Sequence, residues 1–94
     1  MAIFAVTYTY VATAQALDEI RPTHRKFFSE LLVKGVLLAS GPMVDTSGAL
    51  LILSGESIEE IAQLLDSDPF EIAGFIGERA ITEWNPVFGP WSSK

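Results

Sequence analysis

The chain has 94 residues, of which 49% are hydrophobic and 19% are charged, and its formal net charge is −6. This length fits one small domain, and the apolar content excludes a disordered protein. The acidic balance argues against nucleic acid as a partner, because negative charge repels phosphate groups. Since the chain contains no cysteine, disulfides, thiol catalysis and thiolate metal sites are excluded.

Hydrophobic patterning also bears on where the protein acts. The first residues are apolar but carry no basic segment, so they do not resemble a signal peptide. No apolar run is long enough to span a bilayer, and we therefore expect a cytoplasmic protein without a membrane partner. The apolar content exceeds what one small core hides, which predicts an oligomer interface or a lined pocket.

Residues 2–10 alternate with the period of a β-strand. Both faces of this strand are apolar or weakly polar, which is typical of a sheet that is covered on both sides. One face carries Phe4, Val6, Tyr8 and Tyr10, and the other carries Ile3, Ala5, Thr7 and Thr9.

A connector over residues 11–19 leads to an amphipathic helix predicted over residues 20–35. Pro22 suits the first helical turn, where its missing N–H is not needed, and Gly35 suits the left-handed position after the helix. His24, the only histidine, lies on or beside the apolar stripe of this helix. The stripe is formed by His24, Phe27, Phe28, Leu31 and Leu32.

In the second half of the chain, the residue pattern predicts a hairpin, a helix and a final strand. Strands over residues 36–43 and 49–53 flank a turn at residues 45–48. Ser57 and Glu60 form a capping-box pattern at the start of the next helix, which ends near Asp68-Pro69. Residues 74–84 predict the last strand.

The resulting order, βαββαβ, predicts an α+β, ferredoxin-like fold. Two helical crossovers and one hairpin give a four-stranded antiparallel sheet with both helices on one face. The other sheet face stays bare although its residues are not polar, so we expect a homodimer or a higher homo-oligomer that packs sheet on sheet. Residues 1–85 form the predicted domain, and residues 86–94 form a C-terminal tail.

Several short motifs occur together in a specific order. They are Arg21-Pro-Thr-His24 in the first helix, Leu38-Ala-Ser-Gly-Pro42 on the next strand, Gly48 at the turn, and Asp68-Pro69-Phe70 after the second helix. In order and spacing the chain resembles the YCII-related (YciI-like) family from the first strand to Trp84. The tail lies outside that resemblance.

The resemblance implies the fold of the dimeric α+β barrels, which include muconolactone isomerase. It also implies that His24 and Asp68 form the active site, and that Ser40, Gly41 and Pro42 line the same cavity. One kind of family member is a dehydrochlorinase acting on chlorinated hydroxyquinols. Tyr8 is a further candidate for substrate contact, although packing in the sheet explains this residue as well.

An imidazole beside a carboxylate supports proton transfer, since the carboxylate fixes one ring nitrogen and leaves the other free. We therefore expect a small cofactor-independent enzyme, of lyase, isomerase or dehydrochlorinase type, acting on a small aromatic or enolisable substrate. The alternative is a non-catalytic module that binds a small metabolite or assists another enzyme. One histidine with scattered carboxylates does not predict a metal site.

Overall fold

The computed structural model describes residues 1–92. Within these residues there are four strands and three helices, and the antiparallel sheet has the strand order β2-β3-β1-β4. The elements are β1 (Ala2–Tyr10), α1 (Ala14–Val33), β2 (Leu37–Pro42), β3 (Gly48–Gly55), α2 (Ile58–Leu65), α3 (Pro69–Ile72) and β4 (Ile76–Trp84). The α+β, ferredoxin-like prediction with a β2–β3 hairpin is confirmed.

One hydrophobic core lies between the sheet and the helices. Alternate residues of β1 and β3 point to the same side of the sheet, where they meet α1 and α2. The cluster contains Phe4, Val6, Tyr8, Phe28, Leu31, Leu37, Ala49, Leu51, Leu53, Ile61 and Leu65. Both long helices therefore cover one face of the sheet, and the second face carries no helix among residues 1–92.

The first helix starts earlier than the sequence pattern predicts. It begins at Ala14, because the Thr13 side chain caps it by accepting a hydrogen bond from the Ala16 N–H at 3.1 Å. Pro22 consequently lies inside the helix and not in its first turn, and it removes one internal backbone hydrogen bond. Packing offsets the cost of the missing hydrogen bond, since the helical turns before Pro22 include Leu17, whose side chain is buried. The predicted connector over residues 11–19 is therefore wrong over most of its length.

Other predicted details of the helices and of the last strand agree with the structure in part. Leu32 is 55% exposed and so does not belong to the buried stripe of α1. Gly35 has a φ of +79° directly after the helix, as predicted. The Ser57 hydroxyl accepts from the Glu60 N–H at 3.1 Å, which confirms the predicted N-cap of α2. The final strand begins at Ile76, two residues later than expected.

The tail predicted over residues 86–94 is described as far as residue 92, and Ser93 and Lys94 lie outside the described residues. Pro86 is buried, whereas Phe88 is 93% exposed. Among residues 1–92, no helix is both long enough and apolar enough to cross a bilayer.

Two glycines at the β2–β3 edge give a matched test of the packing. A Cβ atom on Gly48 would collide with the backbone carbonyl oxygen of Tyr8, whereas a Cβ atom on Gly41 would meet nothing within 4 Å. We expect Gly48→Ala to lower the free energy of unfolding by about 1–3 kcal/mol, the usual cost of overpacking. Urea unfolding of both variants checks this, and an equal loss in Gly41→Ala would contradict the assigned contact.

Candidate active site

Asp68 occupies the junction between α2 and α3. It is the N-cap residue of α3, with Pro69 in the first turn, and its Oδ1 accepts a hydrogen bond from the Phe70 N–H at 3.0 Å. The sequence predicts Asp68-Pro69 only as the end of a helix, and the structure shows that it also starts the next one. This cap fixes the direction of a carboxylate that is 0% exposed.

Two side chains from distant parts of the chain complete the surroundings of Asp68. The Tyr8 hydroxyl donates to Asp68 Oδ2 at 2.8 Å, and His24 Nδ1 lies 2.8 Å from Asp68 Oδ1. The Tyr8 hydroxyl and the Phe70 N–H both donate to this carboxyl group, and an ionised carboxylate only accepts hydrogen bonds. Beside such a carboxylate, the 2.8 Å contact is a hydrogen bond when Nδ1 of His24 carries the hydrogen, and in that tautomer Nε2 is the nitrogen left for other chemistry.

Aromatic rings hold the imidazole of His24 in place. The Phe70 ring stacks on it with a centroid distance of 3.8 Å and an interplanar angle of 11°. The Phe28 ring meets it edge-on at 4.8 Å. With 17% of its side chain exposed, His24 is held on several sides and still reaches solvent. Such packing limits the ring to one orientation relative to its surroundings.

A pocket of about 520 Å³ opens beside His24, between α1, the core face of the sheet and the β2–β3 turn. His24 and Tyr8 line it, together with Ser40, Gly41 and Pro42. Asp68 does not line it and lies behind the two side chains that it contacts. The volume lies in the range typical of small-molecule sites.

The structure brings all six candidate residues of the sequence analysis to this one region. Ser40, Gly41 and Pro42 come from β2, opposite α1, while Tyr8 belongs to the centre of the sheet. Tyr8 lines the pocket, and its hydroxyl donates a hydrogen bond to Asp68. Its part in substrate contact stays a prediction.

Sequence reasoning missed the contribution of Phe70. This residue supplies both the stacking surface for His24 and the N–H that holds Asp68. The signal was present in the Asp68-Pro69-Phe70 motif, because a capping carboxylate followed by Pro places the next N–H within its reach. The stacking partner could not be inferred, since it depends on how α1 and α3 pack.

Of the two tyrosines of the chain, Tyr8 is buried beside Asp68 and Tyr10 is half-buried nearby. Burial, and secondarily the Asp68 carboxylate, raises the pKa of Tyr8 and of Tyr10 above the ordinary value of 10. The phenols of the folded protein therefore stay neutral where those of an unfolded chain ionise. Tyr8 in this state remains a hydrogen-bond donor to Asp68 over the whole physiological pH range.

We expect folded protein at pH 10.5 to show less phenolate absorbance than the same protein in denaturant. Above pH 10 the unfolded state releases phenolic protons that the native state keeps, so the free energy of unfolding falls as pH rises, by up to about 1.4 kcal/mol per pH unit for the buried Tyr8 and by less for the half-buried Tyr10, which solvent screens. Ultraviolet titration checks this. Identical titration curves for folded and denatured protein would contradict it.

Residues 1–85 match the model of the YCII-related domain. The chain belongs to this family. No curated protein matches its sequence at a significant level. The family assignment therefore comes from the match over residues 1–85, which ends just after β4.

Among solved structures, the chain is similar to 5-chloro-2-hydroxyhydroquinone dehydrochlorinase (TftG) from Burkholderia phenoliruptrix AC1100, described in complex with 2,5-dihydroxybenzoquinone. The TM-score is 0.78 at 21% identity, over 97% of this chain and 99% of that one. A NIPSNAP family protein from Agrobacterium tumefaciens gives a TM-score of 0.58 at 14% identity, over 96% and 94%. At such identities these likenesses show a shared fold and nothing about activity.

Proposed function

We propose that the protein is a small enzyme that moves protons on a phenolic or enolisable substrate, with His24 as general acid and base. The observation that carries the proposal is the oriented imidazole at a pocket wall. Asp68 holds Nδ1 at 2.8 Å, and His24 lines the pocket. A base must reach the proton that it removes, and Nε2 is the nitrogen available for this step.

Asp68 is a positioning residue in this proposal. It contacts no solute, because it is fully buried behind His24. Its carboxylate keeps the hydrogen on Nδ1 and stabilises positive charge when Nε2 accepts a proton. Tyr8 acts through Asp68, since its hydroxyl donates to the second oxygen of the carboxylate and helps to hold the carboxylate in place. The pocket and these contacts support a proton shuttle that requires no nucleophilic side chain.

Loss of hydrogen chloride from a chlorinated hydroxyquinol illustrates the chemistry. Nε2 takes a phenolic proton, and the ring carbon that bears chlorine takes a proton as its neighbouring oxygen becomes a carbonyl. Chloride then leaves with the electron pair of the C–Cl bond, and a second phenolic proton is lost. The products are a hydroxyquinone and hydrogen chloride, so the balance needs no oxidant or cofactor.

Chloride release from 5-chloro-2-hydroxyhydroquinone is the direct experiment, with lactones as a second substrate panel. We expect turnover by the wild-type protein with no added cofactor. Turnover that persists equally in His24→Gln would overturn the proposed role of the imidazole. Saturable binding of the panel without any turnover would favour a metabolite-binding module in place of an enzyme.

The proposed assembly is a homodimer that covers the second face of the sheet. Apolar and small side chains occupy this face across three strands, and Trp84 is 41% exposed there. They include Ile3, Ala5, Thr7, Leu50, Ile52, Ala80, Thr82 and Trp84. An apolar face of this extent favours association over exposure to water.

A charged residue at the centre of this face tests the dimer. Thr7 is exposed and lies between Leu50 of β3 and Ala80 of β4. We expect Thr7→Arg to raise the dimer dissociation constant at least about 100-fold, because an interface would bury an unpaired charge. Thr23→Arg, on an exposed position of α1, is the control. Sedimentation measures both, and an unchanged Thr7→Arg dimer would contradict the assignment.

A further inference from the structure

The charges around the pocket differ from those of the protein as a whole. The chain carries 12 acidic and 6 basic residues, yet no aspartate or glutamate lines the pocket. Two arginines line it instead, Arg21 and Arg25, in addition to His24. An acidic protein thus presents a cationic opening to solutes, which concentrates anions at this point and repels them elsewhere.

Helical spacing places these cations beside His24. Arg21 lies three positions before His24 and four before Arg25 on α1, so it is one helical turn away from both. Since all three side chains line the same pocket, a solute bound there meets both the imidazole and the guanidinium groups. Arginine also matches the planar geometry of a carboxylate with two parallel donors.

The two arginines are not equally available to a ligand. Arg21 Nε donates to Asp18 at 3.2 Å, and its guanidinium carbon lies 6.0 Å from the centre of the Phe70 ring. Arg25 is exposed and forms no ion pair within residues 1–92. The Asp68 carboxylate does not line the pocket, and it opposes an anion there only weakly because the side chains of His24 and Tyr8, which contact it, line the pocket in its place.

We infer that the substrate class of this site is the aromatic or enol carboxylates, with the acid group held by Arg25 and Arg21. This inference deepens the proposed function, on which it rests for the role of His24. The carboxylate binds toward the arginine end of the pocket, and the ring lies along its apolar wall of Phe28 and Leu51. The ionisable hydroxyl or enol then faces the imidazole.

Binding of a matched acid and amide tests the inference by calorimetry. The probes are 2,5-dihydroxybenzoate and 2,5-dihydroxybenzamide, which differ in charge and hardly in shape. We expect the wild-type protein to bind the acid about ten-fold or more tightly than the amide, the usual gain from a hydrogen bond to a charged group. Arg25→Gln should remove that preference.

Lys26→Gln is the matched control, because it removes the same charge one residue away and outside the pocket lining. We expect it to retain the preference for the acid. Equal binding of acid and amide, no binding of either at millimolar concentration, or an equal loss in Arg25→Gln and Lys26→Gln would each overturn the inference. In the first two cases, continued chloride release from the neutral chlorohydroquinone would leave the proposed function intact. Acid binding that depends on Arg25, without turnover of any phenol, would support the inference and refute the enzyme.

Discussion

Replacing Asp68 by alanine is expected to lower the free energy of unfolding by about 3–5 kcal/mol, the cost of removing one partner from a buried polar cluster. The change leaves the Tyr8 hydroxyl and the Phe70 N–H without their acceptor. It also removes the N-cap of α3 and the contact that orients His24. Chemical denaturation with urea measures the loss.

Asp66→Ala is the matched control for this variant. Asp66 lies two residues earlier with a side chain that is 64% exposed, and it pairs with Arg79 at 3.0 Å. An exposed ion pair of this kind contributes about 0–1 kcal/mol. If Asp68→Ala lost no more stability than Asp66→Ala, the assignment of Asp68 as the centre of the buried cluster would be wrong. The loss of stability in Asp68→Asn should lie between the losses in Asp68→Ala and Asp66→Ala, because the asparagine side chain keeps one oxygen that accepts a hydrogen bond.

His24→Gln is expected to reduce kcat on a phenolic substrate by about 10²–10⁴-fold, the usual contribution of a positioned general acid or base. An amide cannot shuttle a proton near neutral pH, although it can still donate to Asp68. The change should leave KM within a few-fold, since the pocket walls contribute most of the binding. Steady-state chloride release separates the two parameters.

The control for His24→Gln is Thr23→Gln, one position earlier on an exposed part of α1. This variant should retain wild-type kcat. Circular dichroism establishes whether both variants are folded. A folded His24→Gln protein with kcat within about three-fold of the wild type would refute proton transfer by the imidazole.

Alternation and helical periodicity were enough to predict the fold. The period of two over β1 and the capping pair Ser57 and Glu60 determine elements that the structure reproduces. The start of α1 was predicted incorrectly because Pro22 is compatible with two positions in a helix. It is favoured in a first turn, and it is also tolerated in a helix interior when tertiary packing, here of Leu17, offsets the missing hydrogen bond.

The site could be predicted only in part. The family resemblance implies His24 with Asp68, and the structure brings them to 2.8 Å; their catalytic role stays a proposal. The contacts of Tyr8 and Phe70 with this pair depend on the packing of β1 and α3, which no local pattern specifies. Sequence periodicity indicates which face a residue lies on, whereas the partner across that face follows from the three-dimensional arrangement.

The nitrogen resonances of the one imidazole in the chain provide the most direct test of the central claim. ¹⁵N NMR of histidine-labelled protein distinguishes Nδ1 from Nε2, and His24 is the only histidine, so assignment requires no variant. On addition of 2,5-dihydroxybenzoquinone or a chlorohydroquinone, we predict a saturable shift of the Nε2 resonance while Nδ1 keeps its hydrogen bond to Asp68. A ligand that binds and leaves both resonances unchanged would contradict the assignment of His24 to proton transfer.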